Sequence, residues 1–75
     1  MTPSAFYKKY LDSDRQRIVN MCQACGTSFA NFQQIATAKG SVGRTLAKRL
    51  AAASDGEMTI LEILYPEDYQ DDDAA

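Results

Sequence analysis

Two groups of side chains in this sequence are of the types that perform chemistry. Cys22 and Cys25 form a C-x-x-C pair, a spacing shared by zinc sites and thiol redox centres. A structural zinc site takes four ligands, yet these are the two cysteines of the chain, and it has no histidine. A thioredoxin-like centre sits in a βαβ setting, whereas the residues around this pair carry helical spacing. Both cysteines fall on one apolar stripe and read as small core residues. A disulfide within one helical turn is not expected in a reducing compartment. Asp71, Asp72 and Asp73 form an unbroken run rather than a pair spaced across a pocket, which reads as a solvated tail. No acid/base pair, nucleophile or metal constellation remains. The sequence predicts a protein that is not an enzyme and takes no metal, cofactor or small-molecule substrate.

The elements that position these residues follow from apolar spacing. Seventy-five residues make one domain, and 45% apolar with 24% charged residues is a globular composition. Thr2 and Pro3 start a first helix, and Phe6, Tyr7, Tyr10 and Leu11 carry it over Pro3–Leu11. Asp12-Ser13-Asp14 breaks and recaps the chain. Ile18, Val19, Met21, Cys22 and Cys25 then line a second helix, which Gly26 stops. Thr27-Ser28 caps a third helix over Ser28–Ala38, with Phe29, Phe32, Ile35 and Ala36 on its apolar side. Val42, Leu46, Ala47 and Leu50 line a fourth helix, closed by Ser54-Asp55-Gly56. Thr59 and Glu62 have capping-box spacing, which predicts a short fifth helix over Ile60–Leu64 that Pro66 ends. The predicted architecture is all-α: a bundle of four to five short helices over residues 1–66, followed by an acidic, disordered tail over 67–75. No window approaches the ~18 apolar residues of a membrane span. The N-terminal stretch MTPSAFYKKYLDSD lacks the apolar core of a signal peptide, so the cytosol is the expected compartment.

The net charge of −2 conceals a sharp division. Residues 1–53 carry eight Lys/Arg against two Asp/Glu, a balance of +6, and residues 54–75 carry eight Asp/Glu and no Lys/Arg, a balance of −8. A basic block of this kind suits a polyanionic partner. The stretch IVNMCQACGTSFANFQQI also meets the demands of a helix-turn-helix. Cys22 is small where the second helix crosses the first. Gly26 tolerates positive φ in the turn. Met21, Cys25, Phe32 and Ile35 face inward.

These residues resemble the small Cro-like prophage regulators of the lambda-repressor-like superfamily, in particular the YdaS-type group. The resemblance runs from about Ser4 to Tyr69. It rests on CGTS at 25–28, LAKRLAAAS at 46–54 and DGEMTILEILYPED at 55–68, with Asp55 replacing one glycine of the closing pair. Between the third and fourth helices the chain reads ATAKGSVGR, with Arg44 displaced from the usual basic turn. The resemblance implies a repressor-like domain of phage or prophage origin whose third helix enters the major groove of double-stranded DNA. By position in that motif, Ser28, Phe29, Ala30 and Gln34 face the bases, flanked by Asn31 and Gln33. Gln34 can pair in bidentate fashion with adenine. Arg15, Arg17, Lys39 and Arg44 fall where phosphates pass.

Each role has a competitor. Phe29 could instead pack in the core and Gln34 could be a plain surface residue, while Lys48 and Arg49 read as a solvated helix face rather than a contact. The third helix has no Lys or Arg before Lys39. Since Arg to guanine is the commonest specific contact, the site should lean to A/T or be read partly by shape. The expected protein is a Cro-type repressor binding a palindromic operator as a homodimer. Leu61, Ile63, Leu64 and Tyr65 form its dimer surface, unless they pack back on the first helix against Phe6 and Tyr10. The alternative is a protein-interaction module on the same scaffold, such as a small phage inhibitor of a host protein, because a fold hosts functions without proving one.

Overall fold

The computed structural model describes residues 1–38, 40 and 42–69. Five α-helices and one 3₁₀ turn follow in order: α1 Pro3–Leu11, α2 Arg15–Cys25, α3 Phe29–Thr37, α4 Arg44–Ala53 and α5 Ile60–Leu64, with the turn at Pro66–Asp68. The all-α architecture is as the sequence predicts. Helix α2 packs against α1, α3 and α4; α1 also meets α3, and α4 also meets α5.

Local capping explains most of the boundaries. Pro3 opens α1 behind Thr2, whose side chain accepts a hydrogen bond from the Ala5 amide. Asp14 takes the N-cap place of α2 without a side-chain cap bond. In α3 the Ser28 hydroxyl accepts from the Asn31 amide at 3.0 Å. Helix α5 carries a complete capping box: the Thr59 hydroxyl accepts from the Glu62 amide, and the Glu62 carboxylate accepts from the Thr59 amide. Helix α4 starts at Arg44, so Val42 lies in the preceding loop, half-buried, rather than on the helix. The tail expected over 67–75 is partly ordered, because Glu67 and Asp68 belong to the 3₁₀ turn. Residues 70–75 of that segment lie outside the described residues.

The junction of α2 and α3 is the tightest local feature. Gly26 sits at φ 74°, ψ 27°. Its amide donates to the Gln23 carbonyl at 3.2 Å, and the Thr27 amide donates to the Cys22 carbonyl at 3.0 Å. This bond pair is the Schellman closure, and it hands the chain directly to the Ser28 cap. A Cβ at position 26 would meet nothing within 4 Å, so for alanine only the left-handed backbone resists substitution. Gly26→Ala is expected to cost about 1–2 kcal/mol, and Gly26→Asn less, because Asn tolerates the left-handed region. Urea midpoints of the two variants check this ordering.

The core is aromatic on one side and aliphatic on the other. Phe6, Phe32, Ile18, Leu50, Met58 and Ile63 are fully buried. Phe6 lies 4.8 Å from Tyr10 and meets Phe32 edge-on at 6.1 Å, centroid to centroid, geometries that aromatic pairs favour. Met58 is the member that apolar spacing did not single out. It is drawn in by the buried Ser54 hydroxyl, which accepts from the Met58 amide at 3.0 Å and donates to the Ala51 carbonyl at 2.8 Å.

Candidate nucleic-acid interface

Helix α3 divides cleanly. Phe32, Ile35 and Ala36 are buried. Ser28, Ala30, Asn31, Gln33 and Gln34 are exposed, so five of the six expected base-facing residues share one accessible, uncharged face. Ser28 and Asn31 also stiffen the turn, since the Asn31 side-chain amide donates to the Thr27 hydroxyl at 2.9 Å. The Gln33 and Gln34 side-chain amides make no hydrogen bond among the described residues. Amides left unpaired in this way keep their full donor and acceptor capacity for a ligand.

Phe29 differs from the other five. Its ring is half-buried, 6.1 Å from the Tyr7 ring, and the Arg15 guanidinium lies 5.6 Å from it on the outer side. Tyr7 of α1 and Arg15 of α2 thus both lie against this ring. Phe29 therefore packs the start of α3 on the bundle while remaining partly exposed.

The cations flank α3 rather than occupy it. Arg15, at the first position of α2, is exposed and laid over Phe29. Arg44 opens α4 and is exposed, as are Lys48 and Arg49 one turn on. Lys39 lies outside the described residues. Sequence spacing treated Arg49 as part of a solvated face. Its charge nevertheless reaches the buried Cys25 thiol, whose pKa burial raises while Arg49 pulls it down. Arg49 is therefore close to the C-terminal end of α2, beside the turn.

Arg17 is the clear correction among the phosphate-facing residues. Its guanidinium turns inward, lying 5.0 Å from the Tyr10 ring and 5.6 Å from the Phe6 ring. It donates to the Ser54 carbonyl at 3.1 Å and to the Glu57 carboxylate, with Asp55 a further 3.7 Å ion-pair partner. Glu57 is the hub. The Tyr10 hydroxyl donates to both its oxygens at 2.7 and 2.8 Å, and Lys9 approaches at 3.3 Å. Tyr10 first, then Arg17 and Lys9, hold the Glu57 carboxyl down at about 2 against the opposing effect of burial. A charge already paired with carboxylates offers little to DNA. Arg17 lies one turn before Met21, on the edge of the buried stripe, but its partners are 37 and 40 residues away in sequence.

The cysteines behave as core atoms. Both are free and buried. Burial, and then the neighbouring Cys25, push the Cys22 thiol up to about 11, so it is protonated at neutral pH. Among the described residues no group of three His, Cys, Asp or Glu is placed to hold a metal.

The expected dimer surface splits in the same way. Ile63 is 1% exposed and joins the core cluster that contains Phe6, so it is withdrawn from any contact between chains. Leu61 and Tyr65 stand out in solvent, and Leu64 is half-buried against the core.

No protein family, curated protein or solved structure compared with the chain matches it. The class that its own geometry defines is a small all-α bundle of five short helices, with α2 and α3 joined directly by the Gly26 turn. Among the described residues no helix is long and apolar enough to cross a membrane.

Proposed function

We propose that the chain is a sequence-specific DNA-binding transcriptional regulator, a Cro-type repressor of phage or prophage origin acting in the cytosol. The observation that carries this reading is the exposed face of α3. Ala30, Asn31, Gln33 and Gln34 stand clear of the bundle on a helix fixed by the Gly26 turn, with Arg15 and Arg44 exposed beside it. In the major groove, glutamine and asparagine amides match the N6 and N7 pattern of adenine, and Ala30 suits a thymine methyl. Arg15 and Arg44 supply phosphate contacts that carry affinity without sequence information. Two copies on the half-sites of a palindrome double the base contacts that one small domain can make, so the working form is a homodimer on DNA.

The test is fluorescence anisotropy with DNA from upstream of its own gene, against scrambled DNA, at two salt concentrations. Preferential and salt-sensitive binding supports the reading. A folded chain with no affinity for either DNA overturns it in favour of the protein-interaction module. On the preferred site, Gln34→Ala is expected to cost about 1–3 kcal/mol and to relax discrimination at one base pair. Equal weakening on every sequence would remove Gln34 from base reading.

A further inference from the structure

The Met1 amine is built into the far end of the fold. It donates to the Glu57 carbonyl, 56 residues away, and to Glu62 Oε1 at 2.8 Å, 61 residues away. Oε1 also accepts from the Thr59 amide at 3.0 Å and the Thr59 hydroxyl at 3.1 Å, so the ammonium is the third donor on one carboxylate oxygen. The pair is largely covered: the Met1 side chain keeps 23% of its exposure and Glu62 keeps 17%. Met1 packs against the core cluster, and Thr2 behind it is 3% exposed.

Two features make this contact a latch. Exposed ion pairs contribute little, whereas removing one partner of a covered pair leaves the other charge without its counterpart. Helix α5 is five residues long, too short to hold itself, and it rests on α4 and the 3₁₀ turn. The Met1 amine grips both the loop that enters α5, at Glu57, and the first turn of α5, at Glu62.

An acyl group on this nitrogen undoes the arrangement. When the amine attacks the carbonyl carbon of a thioester, a C–N bond forms and the C–S bond breaks. The ammonium gives up two protons in all, one to the departing thiolate and one to solvent. The product is a neutral amide with a single N–H, which serves at most one of the two acceptors and brings no charge to Glu62. We infer that the Met1 α-amine is a modification site at which acylation loosens α5 and the turn that follows it. This switch is independent of what the α3 face binds.

The test compares the full chain, made by chemical synthesis, with a free amine and with an acetyl group on Met1. Amide hydrogen exchange is followed by nuclear magnetic resonance. Acetylation is expected to speed exchange about tenfold or more at Ile63 and Tyr65, whose amides donate to the Thr59 and Leu61 carbonyls. The Phe32 and Ala47 amides, bonded within α3 and α4, are expected to keep their rates. Glu62→Gln removes the charge and keeps the capping box, since glutamine also serves at that position. In the free-amine chain it is expected to reproduce the acceleration, and acetylation on top of it to add little. Equal rates in the free and acetylated chains overturn the inference. So does acceleration shared by every helix, or loss of the fold, because the effect is then not local to α5. Additive effects of acetylation and Glu62→Gln overturn it too, since the amine would then act through some other group.

Discussion

Truncating Phe32 to alanine is expected to lower the stability of the domain by about 3–5 kcal/mol, through lost burial and the cavity left behind. The side chain is fully buried, edge-on to Phe6 at 6.1 Å and tilted against Tyr7 at 6.3 Å. It is the main pin between α3 and α1. A 75-residue domain has roughly 4–11 kcal/mol in all, at about 0.05–0.15 kcal/mol per residue. The variant therefore populates unfolded chain at room temperature, and α3 loses its platform. Phe32→Leu keeps most of the volume and should cost about 1–1.5 kcal/mol. Urea denaturation followed by far-ultraviolet circular dichroism separates the two. A loss of under 1 kcal/mol for Phe32→Ala would show that the α1–α3 contact is held by something else.

The second large effect is at Glu57, and it depends on pH. Glu57→Gln removes the charge that Arg17, Lys9 and Tyr10 converge on and leaves the Arg17 guanidinium facing the Phe6 and Tyr10 rings. Breaking a fully buried pair costs about 3–5 kcal/mol. Both partners here keep about a quarter of their side-chain exposure, so about 2–3 kcal/mol is expected at neutral pH. The Glu57 carboxyl is lowered from 4.5 to about 2 in the folded chain. A depressed carboxyl stabilises the fold above its unfolded pKa, and that stability drains away as pH falls from about 4.5 through about 2. The natural chain should lose stability across that window, and Glu57→Gln should lose much less. Glu62 adds a smaller dependence of the same sign. Burial pushes its carboxyl up, but the Met1 amine at 2.8 Å and Thr59 outweigh it and hold the carboxyl low. Urea midpoints at neutral pH, near pH 4 and near pH 2 check this. Curves that stay parallel at every pH would mean that Glu57 is not the titrating group.

These two residues also mark where sequence reasoning reached and where it stopped. Helix order, the Gly26 turn and the Thr59–Glu62 capping box were all legible. Each rests on residues within about four positions of one another, where backbone geometry leaves few alternatives. The apolar stripe of α2 placed Cys22 and Cys25 in the core for the same reason. Phe32 and Ile35 likewise declared the inner face of α3, which left Ala30, Gln33 and Gln34 outside.

The fates of Arg17, Phe29 and Ile63 were not legible, because each is set by a partner on a distant element. Arg17 meets Ser54 and Glu57 at separations of 37 and 40 residues, and no local spacing predicts that. Phe29 is drawn under Arg15 and against Tyr7 by the way α1 crosses α3. Ile63 rather than Leu61 is buried because a helix of five residues can turn only one side to α4. The division of charge into +6 and −8 blocks was plain in the sequence, yet part of it cancels within the fold through Lys9 and Arg17 with Asp55 and Glu57. Periodicity decides which side of a helix is apolar; only packing decides which charged and apolar groups at its edges are covered, because that depends on what the neighbouring helix brings within reach.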